Sequence, residues 1–264
     1  MGGRRLARIA DVVMKPDVNA DAFQDRLIAL RPDLLVSWFW TTRIPKRILA
    51  VPPRGAIGVH PSLLPRHRGP DPYFWAIDSG DRESGVTAHR LDEGYDTGDI
   101  LGQHTVRIDP AWNAWTLARR LDRPSLALLR ETVAAFARGS PPAPRPQDER
   151  AATLAPEPTD DDLALLWTGT NDQILRRVRA ASPWPGAIAW LGDVPVYVTR
   201  AAARADFPRA LLAGEAAVLA GGAVVVRTSN GAVELLETTT EEHEPLSALG
   251  LAALLRAPIH PASR

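Results

Sequence analysis

Two kinds of hydrophobic pattern alternate along the first half of the chain. The short apolar run Leu34–Trp38 (LLVSW) reads as a buried strand, and Ala56–Val59 (AIGV), Gly85–Leu91 and Ile100–Ile108 read as further strands. Between and after them, apolar positions recur at helical spacing. Phe23, Leu27 and Leu30 share one face of a helix expected over Ala20–Leu30, with Asn19 as its cap. Pro32-Asp33 ends that helix and the next strand begins at once. Such tight helix-to-strand succession predicts a parallel sheet. Arg5–Lys15 carries a further short apolar run, read as a strand ending near Met14. Pro45–Ala50 and Pro72–Asp78 read as short helices, the second with proline at its first position. A long amphipathic helix is expected over Trp112–Arg138. Leu117 and Leu121 lie on one face before Pro124, and Leu126, Leu129, Val133 and Phe136 follow it; the proline should kink or divide the helix.

The pattern changes after Gly139. SPPAPRPQDER is rich in proline and polar residues and predicts a stiff extended linker over 140–158. Beyond it, Thr159 and then Thr170 or Asn171 read as caps of two helices, the second running through Ala181. Five short strands follow, Ala187–Leu191, Val194–Thr199, Glu215–Ala220, Ala223–Thr228 and Ala232–Glu237. Asn230-Gly231 marks a tight hairpin between the last two. With a closing helix over Pro245–Arg256, this predicts a small OB-like barrel over 159–264. The first domain is expected over 1–139.

Composition narrows the function classes. The chain has 264 residues, 45% hydrophobic, with formal net charge zero, so no global charge draws it to nucleic acid or an anionic membrane. There is no cysteine, which excludes disulfides, thiolate metal sites and a cysteine nucleophile. No apolar run approaches the roughly 18 residues of a membrane span. No apolar core of a secretory signal follows the basic N-terminus, and the expected location is the cytoplasm. His67 and His89 lack metal-ligand spacing with a carboxylate, and no metal is expected.

Candidate chemistry concentrates in Ala56–Leu101. His60 follows a buried strand directly, a loop studded with Pro and Arg follows, and an acidic Gly-bearing turn closes the stretch at Asp92–Asp99. A histidine and an aspartate on two loops at strand ends suit proton transfer. VHPSLLPRHRG, GVTAHRL and DEGYDTGDIL together resemble the 10-formyltetrahydrofolate-dependent formyltransferase family. NDQILRRVRAASPWPGAIAWL and HEPLSALGL are similar to the C-terminal part of the methionyl-tRNA formyltransferases within it.

That resemblance implies a Rossmann-like catalytic domain. Relative to the family, roughly two strand-helix units are missing at its N-terminal side. A misassigned start, a partner subunit supplying those units, and re-pairing of the first strand within a homodimer are the three explanations open; the last two are carried forward. The resemblance also implies 10-formyltetrahydrofolate as co-substrate. It assigns His60 and Asp96 as proton shuttle and oxyanion stabiliser. Gly58 stands where the family has an asparagine. Losing one such donor typically costs about 10²–10³-fold in rate. A slow enzyme with another group replacing the amide, a different or larger transferred group such as formimidoyl, and folate binding without catalysis all fit that change. Folate is expected against Trp38, Phe39, Trp40, Leu91, Asp92, Glu93, Gly94 and Tyr95. The three aromatics 38–40 either stack on its rings or fill a core gap. Ser62, Leu64, Pro65, Arg66 and Gly69 form the expected substrate loop.

The acceptor is expected to be the amino group of a small molecule. Asp160–Asp162, Glu241, Glu242 and Glu244 make the C-terminal part acidic where tRNA binding requires Lys and Arg. Formylation of methionyl-tRNA, a non-catalytic folate-binding subunit and hydrolysis of 10-formyltetrahydrofolate are the alternatives.

Overall fold

The computed structural model describes residues 10, 11, 13, 15–40, 42–191, 193–242 and 244–256. The expected strand over Arg5–Lys15 falls largely outside the described residues.

A four-stranded sheet organises the first part, in the order β1 (Leu35–Trp38), β2 (Ala56–His60), β3 (Glu83–Arg90), β4 (Ile100–Arg107). Strands β1 and β2 are parallel, with Ser37 beside Gly58. Strands β2 and β3 run antiparallel, pairing Gly58 with His89 and His60 with Thr87. All five residues of β2 are buried, as expected of a strand paired on both sides and covered. Helix α1 (Asp21–Leu30) precedes β1, and the four-residue α2 (Lys46–Leu49) links β1 to β2. Helix α3 (Pro72–Asp78) starts with Asp71 accepting from the Phe74 N–H and with proline at its first position. The long α4 (Ala114–Ala137) packs on β2, β3 and β4. Its apolar face (Leu117, Leu121, Leu129, Phe136) meets Ile57, Val59, Val86 and Ala88 in the core.

Three local expectations differ. Of the two outcomes expected at Pro124, a kink or a break, the break does not occur: α4 continues for 24 residues, its turns on both sides held by the buried stripe. Asn19 does not cap α1. Ala20 holds that position without a side-chain bond, while the Gln24 amide donates back to the carbonyls of Val18 and Asn19 at 3.1 Å. Gln24 is therefore the buried residue of α1, and Leu30 is 64% exposed. Among the described residues β1 has no partner beyond β2, and Val36 and Trp38 are exposed along it.

The second part is a five-stranded antiparallel sheet in the order β5-β6-β9-β8-β7: β5 (Ala187–Leu191), β6 (Val194–Arg204), β7 (Ala216–Val218), β8 (Val224–Arg227), β9 (Ala232–Thr239). The chain thus combines a Rossmann-like α/β unit with an OB-like unit. Strand β6 runs five residues past the expected Thr199, because Ala201–Arg204 pair with Ala232–Leu235 of β9. The Asn230-Gly231 turn joins β8 to β9. Helices α5 (Asp160–Leu163) and α6 (Asn171–Ala180) both carry capping boxes, from Thr159 with Asp162 and Thr170 with Gln173. The closing α7 (Ala248–Arg256) starts three residues later than expected, because Leu246 is tied back to the Thr238 carbonyl.

The two parts share one continuous apolar cluster, from Ile57 and Phe74 to Val178 and Val198. Across their junction Arg177 holds the Asp78 carboxylate with two bonds, 2.6 and 3.0 Å. The expected linker is extended but does not run free. Arg145 exchanges two backbone bonds with Ile100, and Thr153 and Ala155 bond with Arg68. The Trp75 indole N–H donates to the Pro156 carbonyl. This segment is sewn along the first part and brings Leu154, Pro156 and Glu157 to the rim of a cleft.

Candidate active site

The end of β2 meets the loop after β3 at a cleft of about 510 Å³, within the size range of small-ligand sites. His60 projects from the last position of β2 and is only 6% exposed. Its Nε2 lies 2.7 Å from the His67 carbonyl oxygen. A carbonyl can only accept, so Nε2 carries the hydrogen and Nδ1 faces Asp96 Oδ2 at 3.4 Å. His67 and Asp96 both have left-handed backbone, with φ of 60° and 56°. Outside glycine, His and Asp are among the residues that tolerate that region best, and such strain is common at functional sites.

Asp96 is held by two hydrogen-bond donors. Its Oδ2 accepts from the Gly69 N–H at 3.0 Å. Its carbonyl accepts from the Gln147 amide, which also donates to the Gly98 carbonyl, both at 2.7 Å. Its Oδ1 lies 3.5 Å from His89 Nε2. The Gln147 oxygen in turn accepts from Arg68, whose guanidinium also forks Glu149. Gly69 must be glycine on two counts. Its φ is 124°, and a Cβ there would come within 2.7 Å of the Ala155 carbonyl.

Burial pushes the His60 imidazole below the usual histidine pKa, and Asp96 only partly offsets that effect. His89 is lowered for the same leading reason. The site thus favours neutral imidazoles that take up a proton reluctantly and return it readily. Tyr73, also on the cleft wall, has its phenol pKa raised by burial.

The cleft brings together Gly58, His60, Gly69, Phe39, Trp40, Leu91, Asp92, Gly94, Tyr95 and Asp96. It leaves out others of the expected set. Trp38 is turned away, its indole N–H donating to Ser125 Oγ of α4 at 2.9 Å, because period-two alternation along β1 puts it opposite Ser37. Glu93 faces outward, paired with Lys46 and tied through its carbonyl to Arg43. Of the expected substrate loop, only Gly69 reaches the cleft. Ser62 Oγ donates to the Arg66 carbonyl, Leu64 is buried, and Pro65 follows a cis bond. Arg66 is bidentate on Asp81 at 2.6 and 2.7 Å. These residues shape the loop and leave its inner wall to Pro61, Arg68 and Pro70.

His89, Arg68 and Gln147 were not legible as site residues. His89 could have been placed by alternation along β3, which sets it on the same face as Thr87. Gln147 had no such signal, because it lies in a segment read as linker. The space beside Gly58 is not open either. A Cβ there would lie 2.9 Å from Leu91 Cδ2 and 3.5 Å from His89 Nε2, so a side chain at this point would have to displace that of Leu91. Among the described residues no group of three or more ligating side chains is arranged to hold a metal ion.

Residues 10–133 match the family model for formyl transferase, and 159–254 that for the formyl transferase C-terminal domain. The methionyl-tRNA formyltransferase of Roseiflexus sp. is 36% identical over 242 residues, 91% of this chain and 74% of that protein. That of Anaeromyxobacter sp. is 37% identical over 253 residues, 95% of this chain and 80% of that protein. Among solved structures, HypX from Aquifex aeolicus in complex with tetrahydrofolic acid superposes with a TM-score of 0.67 at 25% identity. That match covers 89% of this chain and 42% of HypX, so this chain spans less than half of that longer protein.

Proposed function

The chain belongs to the formyl transferase family, and from that premise we propose that it transfers a formyl group from 10-formyltetrahydrofolate to the amino group of a small molecule. Enzymatic formyl transfer is the family's chemistry, and folate its donor. The identity of the acceptor is the reading added here.

One observation carries it. Among the described residues, the arginines of the C-terminal part are engaged within the molecule. Arg176 and Arg177 hold Asp172 and Asp78, and Arg179 donates to the carbonyls of Pro110 and Trp112. Arg200 and Arg204 pair with Glu237 and Glu234. Arg209 and Arg227 donate to the carbonyls of Ala205 and Gly231. Affinity for tRNA rests on cations that neutralise phosphates, and pairing with carboxylates works against that. The match of both domains to methionyl-tRNA formyltransferases favours a second reading, formylation of a charged tRNA.

In the proposed reaction the folate rings lie along Phe39, Trp40, Leu91 and Tyr95, whose apolar and aromatic surfaces suit them. His60 and Asp96 take the proton that the attacking amine loses and deliver it to the folate nitrogen that is released. Burial keeps His60 neutral and ready for the first role. Among the described residues β1 is an edge strand with Val36 and Trp38 exposed along it, which supports a second copy or a partner subunit packing there. In the described residues no helix is long and apolar enough to cross a membrane, and the proposed location is the cytoplasm.

The test sets a panel of small amines against methionyl-tRNA as acceptors, with tRNA affinity measured by filter binding at physiological salt. The reading expects formylation of a small amine and tRNA binding lost at that salt. Submicromolar tRNA affinity with formylation of its methionyl amine would replace it by the second reading.

A further inference from the structure

The β2–β3 register places Gly58 directly opposite His89. Residues so paired have Cβ positions about 4.5–5.5 Å apart on one face of the sheet. Gly58 has no side chain, and the space a Cβ would enter is bounded by Leu91 Cδ2 and His89 Nε2. His89 is 2% exposed, and its ring is held at Nδ1. Nδ1 donates to the Arg90 carbonyl at 2.7 Å, which leaves Nε2 without a hydrogen, facing Asp96 Oδ1 at 3.5 Å. His60 presents the mirror arrangement on the other carboxylate oxygen, with Nε2 on a carbonyl and Nδ1 toward Asp96 Oδ2. The carboxylate is therefore set between two imidazoles, and neither facing nitrogen carries a hydrogen while its ring is neutral.

We propose that His89 is a positioning residue for formyl transfer, sharing one mobile proton with His60 through Asp96. The inference rests on the formyl-transfer reading and assigns the site a third titrating group. As the amine's bond to the formyl carbon forms, its nitrogen gives up a proton to the His60–Asp96–His89 cluster. As the bond from the folate nitrogen to that carbon breaks, the same proton passes to the folate nitrogen. No other reactant is required. A carboxylate flanked by two buried imidazoles takes up that single proton more easily than a second, because two cationic rings would repel across it. The other titratable or charged groups facing the cluster are Asp92, Arg68 and the His67 imidazole, and the His67 carbonyl fixes His60 from behind.

The experiment follows the histidine ring nitrogens by NMR during a pH titration of the wild-type protein, His89→Leu and His89→Gln, beside single-turnover formyl transfer. In the wild type His60 and His89 should titrate as a coupled pair below the ordinary histidine range. In His89→Leu, His60 should titrate as a single site with its midpoint raised by about half a unit or more, because the carboxylate is no longer divided. Transfer should fall about tenfold or more in kcat with little change in KM. Glutamine, whose amide N–H can face Asp96, should recover part of that loss. Gly58→Asn should slow transfer, because its side chain would displace Leu91 and crowd His89. Independent titration of the two rings in the wild type overturns the proposal without any variant. So does a His60 titration in His89→Leu or His89→Gln that superimposes on the wild type. Wild type that transfers to none of the amines would count against the acceptor reading alone, and the titration would still decide the role of His89.

Discussion

The backbone carbonyl of His67 accepts the His60 Nε2 hydrogen at 2.7 Å, so one histidine sets the tautomer of another. The His67 ring is itself anchored, Nε2 to Asp81 Oδ2 at 2.8 Å. Burial opposes charge on Asp81, but its bonds from His67 and Arg66 hold its pKa below the usual carboxylate range. His67→Ala should cost about 1.5–3 kcal/mol of stability, the usual loss for a hydrogen bond to a charged group. It should also lower turnover, because the carbonyl that orients His60 is released from its left-handed setting. Urea unfolding and turnover on the same samples check both.

His60→Ala and Asp96→Asn should each reduce turnover by about 10²-fold or more while folate affinity stays nearly unchanged. Both groups act on protons that move in the transition state, so ground-state binding does not depend on them. Steady-state kinetics with calorimetry on each variant measures the two effects separately.

Gln147 bridges the Pro-rich segment to the Asp96 loop through two amide donations, while its oxygen accepts two bonds from Arg68. Gln147→Ala should therefore lower kcat although the residue does not touch the reacting atoms. Gln147→Glu exchanges the amide donors for carboxylate oxygens facing two carbonyls, and should be worse. Comparing kcat for the two variants tests whether this segment acts as a brace.

Stability should fall on acidification. Folded-state pKa values of His60 and His89 are depressed by burial. Below about pH 6.5 the unfolded chain then binds more protons than the folded one. The contribution is complete above that pH and is lost as pH drops through the folded values. Melting temperature measured from pH 7.5 downward should decline, and the decline should be smaller in His89→Gln, which lacks one of the two groups.

Much of the architecture was legible because β2 is a contiguous apolar run and most caps are local signals. Thr159, Thr170, Asp71 and the Asn230-Gly231 turn act within a few residues. His60, Gly69 and Asp96 stood out because the loop and the turn carry recognisable patterns. What escaped depends on contacts distant in sequence. Trp38 has the composition of a stacking residue but bonds to Ser125, 87 positions away. Gln147 reaches Asp96 across 51 positions from a segment whose composition says linker. Pro124 sits in α4 against its propensity because the buried stripe on both sides outweighs a missing N–H.

The most direct measurement is the release of tetrahydrofolate from 10-formyltetrahydrofolate, with the formylated product followed by mass spectrometry, in wild type and His60→Ala. A no-acceptor control separates transfer from hydrolysis. The account predicts formylated amine and tetrahydrofolate in equal amounts from the wild type, with the rate reduced by about 10²-fold or more in His60→Ala. Failure of 10-formyltetrahydrofolate and its unreactive 5-formyl analogue to bind at high micromolar concentration, or folate release equally fast with and without acceptor, would contradict it.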